Sequence, residues 1–377
     1  MDNTLPEAQL RPQLRPLLRL HTAFWERTLE QPIINVDCSS ARRTWHVPAL
    51  PPAWEDKDGL ILQPDMLAPE KLQPAPIAPL GAPSAWGKVA FNTLFPYHRV
   101  PWLAAIMGCA LRVSATSRTI WPIPYLPDDW YERDRQGFAP RLEWLDKLIE
   151  FETFVRDRYY PGQCIPTLDP TVRGPGDLFV QVLGPEKAYL AFYDHPAEAR
   201  ALLEQLTTLY IHWVQRQLAV MPRLQGGYCN QYGMWCPGTC LRTQEDYAVN
   251  LSPRIFREFI APCSTRVIES FDYQVFHTHS GFPPLAEWVL DIEALKAIDI
   301  VLDPHGKPLR ELLPLCRRIL EKKALVIVGP VKEQELDFLV SNLPARGLWL
   351  DVELVTEEQR AAVWEFDRSA AGSSLRQ

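Results

Sequence analysis

The chain has 377 residues, 47% of them hydrophobic and 23% charged, with a formal net charge of −7 at pH 7. That composition is ample for a large buried core and excludes a disordered chain, and the acidic balance leaves no basic footprint for nucleic acid. No apolar run reaches the roughly 18 residues of a membrane span, and the start, Met1-Asp2-Asn3-Thr4-Leu5-Pro6-Glu7, lacks the charged-then-apolar order of a secretory signal, so a cytoplasmic protein without a membrane partner is expected.

Residues 8–30 carry Leu10, Leu14, Leu17, Leu18, Ala23 and Phe24 at roughly helical spacing, and Pro12 and Pro16 confine the regular helix to the residues after them. A proline-rich stretch, 47–84, follows with few periodic apolar runs and reads as an extension wrapped around the main body. From Lys88 onward, short apolar segments alternate with longer helical ones, the pattern of βα units around a parallel sheet. The division expected is therefore 1–87, a helical and Pro-rich extension, and 88–377, the main body. Helices are predicted over 142–158, 186–193, from Asp194-His195-Pro196 to about Met221, and over 254–271, 283–290, 308–321 and 332–343. Strands are predicted over 225–228, 273–277, 300–302, 325–328 and 348–352. Their polar ends are Asn230 or Gln231, His277 with His279, Asp303, Gly329, and Asp351 or Glu353. A parallel barrel gathers such ends at one mouth.

Within Phe276-His277-Thr278-His279-Ser280-Gly281, the two histidines stand two apart at a strand end and so share a face. They can hold a metal or pass a proton; alternatively one is a core residue and the other a loop residue. With a carboxylate from Asp303, Asp351 or Glu353 they make a ligand set for catalytic zinc or ferrous iron. His305 lies near the same mouth.

Arg173, in Arg173-Gly174-Pro175-Gly176-Asp177, offers a planar fork for a carboxylate or phosphate, or else pairs with Asp177 at a turn. The stretch 226–240 reads as a long loop over the mouth, with Tyr228, Tyr232 and Trp235 as an apolar wall and Asn230 and Gln231 as hydrogen-bonding groups. Asp246 is a site carboxylate or a loop acceptor. The eight cysteines read as reduced packing residues, and the 13 tryptophans, Trp121 among them, line a cleft or plug the core.

Four segments, Arg173-Gly174-Pro175-Gly176-Asp177-Leu178, Gly184-Pro185-Glu186 leading to Asp194-His195-Pro196, Glu245-Asp246 leading to Leu251-Ser252-Pro253, and the His277/His279 segment, occur in the order seen in the uroporphyrinogen decarboxylase superfamily. The resemblance covers about residues 90–365 and implies an α/β fold, a single (β/α)8 TIM-type barrel carrying the N-terminal helical and Pro-rich extension, with its site at the C-terminal face of the strands. The decarboxylases of that superfamily grip an acidic tetrapyrrole with an N-terminal arginine pair. Here the comparable region reads His98-Arg99-Val100-Pro101-Trp102 and then Met107-Gly108-Cys109, without the pair. Its corrinoid-linked methyltransferases hold zinc with a His-x-Cys pair and a late cysteine. His277 matches the histidine, His279 stands where the cysteine would be, and the late segment offers Asp351 and Glu353 instead of sulfur.

The resemblance thus implies a metal-dependent methyltransferase-like enzyme acting on a small substrate. His277, His279, Asp246 and Arg173 are its expected catalytic residues, and Trp121, Tyr228, Gln231, Trp235 and His98 its expected substrate contacts. The expected metal is zinc on His277 and His279, with Asp351, Glu353 or Asp303 as third ligand. A corrinoid delivered by a partner protein and a monomeric or homodimeric state also follow from it. Alternatives are a uroporphyrinogen decarboxylase-like lyase and a non-catalytic corrinoid- or tetrapyrrole-binding module.

Overall fold

In this computed structural model the described residues are 14–37, 57–72, 89–96, 100–114, 119–132, 140–168, 173–356 and 358–359, with the backbone of 4–5. Among them, six parallel strands form one sheet: β1 (Ile33–Asp37), β2 (Cys240–Gln244), β3 (Tyr273–His279), β4 (Ala297–Val301), β5 (Ala324–Val331) and β6 (Leu348–Leu354), in the order β2-β3-β4-β5-β6-β1. Strands β4 to β6 are near-continuous apolar runs, as expected when both faces of a parallel sheet are covered. Helices Pro284–Val289, Leu309–Lys322 and Glu333–Asn342 connect successive strands from β3 to β6, which is the βα alternation read from the sequence.

The two faces have different jobs. Phe276, Ile298, Ile300, Leu325, Ile327, Leu348 and Leu350 point to the helices and join the largest core cluster. The alternate positions, Ile33, Val275, Ala297, Ala324, Val326 and Trp349, pack on the other face with Phe24, Tyr232 and Met234. Helix α1 (Arg15–Trp25) plugs that second face, with Phe24 edge-on to Trp349 at 5.6 Å between ring centroids. Its regular part begins beside Pro16, as the prolines dictate.

Parallel register then sets the functional layer. One row across the sheet runs Gln244, His277, Asp299, Val326, Trp349, Ile33. The row above it runs His279, Val301, Val328, Asp351, Asn35. Both rows share the face that α1 plugs from below, so apolar packing gives way to polar groups toward the strand ends.

One expectation changes, and a second is met in its coarser part. Of the strand predicted over 225–228, Gln225 and Gly226 form a tight turn and Tyr228 opens the two-residue strand Tyr228–Cys229, while the strand that joins the sheet is Cys240–Gln244. Its inward positions carry Arg242 and Gln244, so it has no apolar alternation to read. Second, the pairings among the described residues form a six-stranded α/β sheet, extended past β2 by an isolated Arg173–Gln244 bridge, and do not trace a closed eight-stranded ring. The segment before residue 88 also supplies β1, the edge strand beside β6.

His21 of α1 is fully buried and both its ring nitrogens are committed: Nε2 donates to Val89 O at 2.7 Å and Nδ1 accepts from the Trp235 backbone N–H at 2.8 Å. Protonating Nδ1 destroys that acceptor, and burial pushes the imidazole down to about 4, against the partial support of the Val89 carbonyl. A depressed histidine binds fewer protons folded than unfolded, so stability is full above about pH 6.5 and falls as the pH drops toward 4. The expected loss from this residue is roughly 2 kcal/mol between pH 6.5 and 5. Urea denaturation across that range should show a flatter dependence in His21→Gln than in the parent, and equal slopes would exclude the assignment.

Candidate metal centre

Because His277 and His279 are two apart on β3, both imidazoles reach the same face, and their Nε2 atoms lie 3.0 Å apart. Each ring is held from behind. His277 Nδ1 meets Asp299 Oδ1 at 2.6 Å, Asp299 being its registered neighbour on β4. His279 Nδ1 meets Asp303 Oδ1 at 2.8 Å, just past the end of β4. Asp303 is fixed in turn by the Gly281 backbone N–H, donating to Oδ2 at 2.8 Å, and through its own N–H, which donates to Ser280 Oγ at 2.7 Å. A carboxylate on Nδ1 fixes the tautomer that turns a bare Nε2 toward the site.

The third donor is Asp246, two residues beyond β2. Gln244 Nε2 donates to Asp246 Oδ2. Asp246 Oδ1 is buried, makes no hydrogen bond, and stands 3.6 Å from His279 Nε2. Asp246, His277 and His279 each present a ligand atom, all within 4.8 Å of one another. Two nitrogens and one buried carboxylate oxygen that makes no hydrogen bond fit a divalent cation of borderline character, with positions left for a substrate.

Beneath this layer lies a fully buried charge network. Arg242 Nε reaches Asp299 Oδ2 at 3.1 Å, and the Tyr232 hydroxyl donates to the same oxygen at 2.7 Å. Arg242 also donates to Gln244 Oε1 at 3.1 Å. Burial would raise the Asp299 carboxyl, but His277 and Arg242 outweigh it and hold it down at about 2. Burial and the Arg242 charge push His277 down, toward its neutral, metal-binding form, in spite of Asp299. For His279, burial is outweighed by Asp246 and Asp303, which raise it to about 10. Asp246, despite burial, is held well below the usual carboxylate range by His279, His277 and Arg173. Without a metal, the three donors therefore comprise a neutral His277 beside an ion pair of His279 and Asp246, and a bound cation would take the place of the His279 Nε2 proton.

Arg173 enters from the β2 edge, where Gly174 N–H donates to Gln244 O at 2.7 Å. A Cβ on Gly174 would sit 2.4 Å from that carbonyl oxygen, so the close approach requires glycine. The guanidinium lies 3.7 Å from Asp246 Oδ2 and 3.8 Å from Asp177 Oδ2. It also lines a cavity of about 430 Å³, together with Trp121, Leu103, Ile120, Leu178 and Tyr247. Arg173 thus joins the cavity to the metal-ligand cluster.

The sequence-derived set divides as follows. His277, His279, Asp246 and Arg173 come together, and Trp121 lines the adjoining cavity. Asp303 acts behind His279 rather than beside it. Asp351 faces the same way as His279 but lies three strands along the sheet and accepts from Asn35 Nδ2 at 2.7 Å; Glu353 is further along the same strand, and neither joins the cluster. The carboxylate comes from Asp246 because β2, not β6, is the neighbour of β3. Tyr228 and Trp235 are core residues: the Tyr228 hydroxyl donates to Leu218 O at 3.1 Å, and Trp235 Nε1 donates to Leu224 O at 2.7 Å. Gln231 is buried beside Thr93, whose hydroxyl donates to its carbonyl at 3.3 Å. Tyr232 belongs under the site, on Asp299, rather than in a wall. His305 is exposed, and His98 lies outside the described residues.

Asp299 and Arg242 were absent from the sequence-derived set. Asp299 had a signal, a lone carboxylate inside Ala-Ile-Asp-Ile-Val, since a charge in such a strand is costly unless paired.

No protein-family model and no curated protein matches this sequence. Among solved structures, the chain is similar to a methyltransferase from Methanosarcina mazei, with 13% sequence identity, a TM-score of 0.53, and coverage of 94% of this chain and 98% of that one. At that identity the likeness is one of fold. No helix among the described residues is long and apolar enough to cross a membrane.

Proposed function

We propose that this chain is a metal-dependent, methyltransferase-like enzyme acting on a small substrate, with a divalent metal, zinc in the first instance, at Asp246, His277 and His279. The observation that carries the reading is the convergence of two Nε2 atoms and one orphaned carboxylate oxygen, each imidazole backed by its own aspartate. The fold shared with a methyltransferase supports the choice of chemistry, as does the order of motifs that resembles the uroporphyrinogen decarboxylase superfamily. In this reading the six-stranded sheet is part of a (β/α)8 barrel, residues 1–87 are its extension, and the enzyme works in the cytoplasm as a monomer or homodimer.

Zinc at this set supplies Lewis acidity that makes a thiol or hydroxyl more acidic, more strongly than a sulfur-rich site does. The protein's own groups do the rest. Asp299 and Asp303 keep both Nδ1 protons pointed away from the reaction space. Arg173 orients the substrate's polar end, and the apolar walls around Trp121 exclude water. A corrinoid carried by a partner protein would supply the methyl group as an electrophile; His277, His279 and Asp246 would hold the metal that activates the acceptor, Arg173 would orient that acceptor, and the acceptor's proton would pass to solvent.

Incubating the zinc-loaded chain with methylcobalamin and a panel of small thiols and alcohols should produce the spectral change of cobalt–carbon cleavage at a rate above that of the metal-free chain. Equal rates with and without metal across the panel would count against methyl transfer.

A further inference from the structure

We infer that the cavity beside Arg173 is the substrate subsite and that it takes a small monoanionic acid with an apolar, ring-sized body, its anionic head on Arg173 and facing the metal ligands. This deepens the reading of Asp246, His277 and His279 as the reaction centre and rests on it. The cavity, at about 430 Å³, falls within the roughly 300–1,000 Å³ typical of small-molecule sites. Its walls are largely apolar, built from residues such as Leu103, Ile120, Leu178 and the aromatic Trp121 and Tyr247. Trp and Tyr supply broad apolar surface that favours a flat ring over an extended polar chain.

Among the described lining residues Arg173 is the charged one. An anion entering an apolar cavity is stable only if paired there, and a guanidinium fork is the natural partner of a carboxylate or sulfonate. The sign and size of the charge follow from its neighbours. Asp177 and Asp246 stand 3.8 Å and 3.7 Å from the same guanidinium nitrogen and already offset its charge, so a head of low charge is favoured there over a dianion.

The orientation follows too. Asp246 touches both Arg173 and His279, through its two different oxygens. A head group on Arg173 is therefore next to the metal ligands, and the ring lies remote from them. The reacting heteroatom is then in or beside the anionic head, and the ring supplies binding energy and specificity.

Calorimetric titration of the full chain, zinc-loaded and metal-free, with benzoate, benzyl alcohol, acetate and phenyl phosphate tests this. Benzoate should bind saturably, once per chain, at least tenfold more tightly than any of the other three. Arg173→Gln should weaken benzoate by tenfold or more and leave benzyl alcohol unchanged. Trp121→Ala should weaken benzoate by about tenfold and Trp121→Phe should restore most of that, with zinc stoichiometry unaltered in both. Benzoate binding no better than acetate or benzyl alcohol would overturn the inference, as would unchanged affinity in both Trp121 variants. Zinc titrations run alongside separate the two ideas: benzoate binding without zinc binding leaves the subsite and removes the metal, and the reverse leaves the metal and removes the subsite.

Discussion

His279→Ala is expected to lose tight metal binding, with Kd raised by more than about a hundredfold, and His277→Ala and Asp246→Asn are expected to do the same. Disturbing a group that merely orients a ligand costs about 10–100-fold in affinity, so removing a donor atom should exceed that. The geometry makes the three variants equivalent in direction, because each removes one of three donors lying within 4.8 Å of the others. Stability separates binding from folding. His279 is partly exposed at the end of β3, so His279→Ala should fold with little loss, whereas His277 is buried against Asp299 and its removal strands a carboxylate. Metal content after dialysis, together with competition against a chelator of known affinity, reads the effect. Parent-like affinity in His279→Ala and Asp246→Asn would mean that the metal, if bound, sits elsewhere.

Asp299→Ala should be the most destabilising single change at the site. Its carboxylate is fully buried and serves three partners: His277 Nδ1 at 2.6 Å, Arg242 Nε at 3.1 Å and the Tyr232 hydroxyl at 2.7 Å. Truncation leaves the Arg242 guanidinium buried without its counter-charge, and breaking a buried pair from one side costs about 3–5 kcal/mol. Replacing both members with apolar groups costs far less, so Asp299→Ala combined with Arg242→Met should recover part of the loss. Metal affinity should not recover with it. In both variants the His277 ring has lost the acceptor that fixes its tautomer, and Kd should stay raised by about 10–100-fold. Denaturant unfolding and zinc titration on the same samples separate the two effects. A single variant as stable as the parent would contradict the buried Asp299–Arg242 pairing, and a double variant that regains metal affinity would show that Asp299 does not orient His277.

Much of this site could be read from the sequence, for definite physical reasons. Period-two geometry alone puts His277 and His279 on one face, and the helices from 142 onward are legible in their apolar spacing. Arg173 stood out because a guanidinium beside glycines suits an anion. What stayed hidden depends on which strands are neighbours. Asp246 converges with the histidines only because β2 lies beside β3, and β2 has no apolar alternation because its inward residues are Arg242 and Gln244. Asp351 had equal chemical claim to be a ligand but lies three strands away. Tyr228 and Trp235 show the limit of composition. An aromatic ring near glycines serves a core or a cleft equally well, and here the hydroxyl and indole N–H are both spent on backbone carbonyls.

The most direct test of the metal centre is a crystal of the zinc-loaded protein measured at the zinc absorption edge. One anomalous peak is expected about 2.0–2.2 Å from each of His277 Nε2, His279 Nε2 and Asp246 Oδ1. No peak in that space, or a peak held by Asp351 or Glu353 instead, would contradict it.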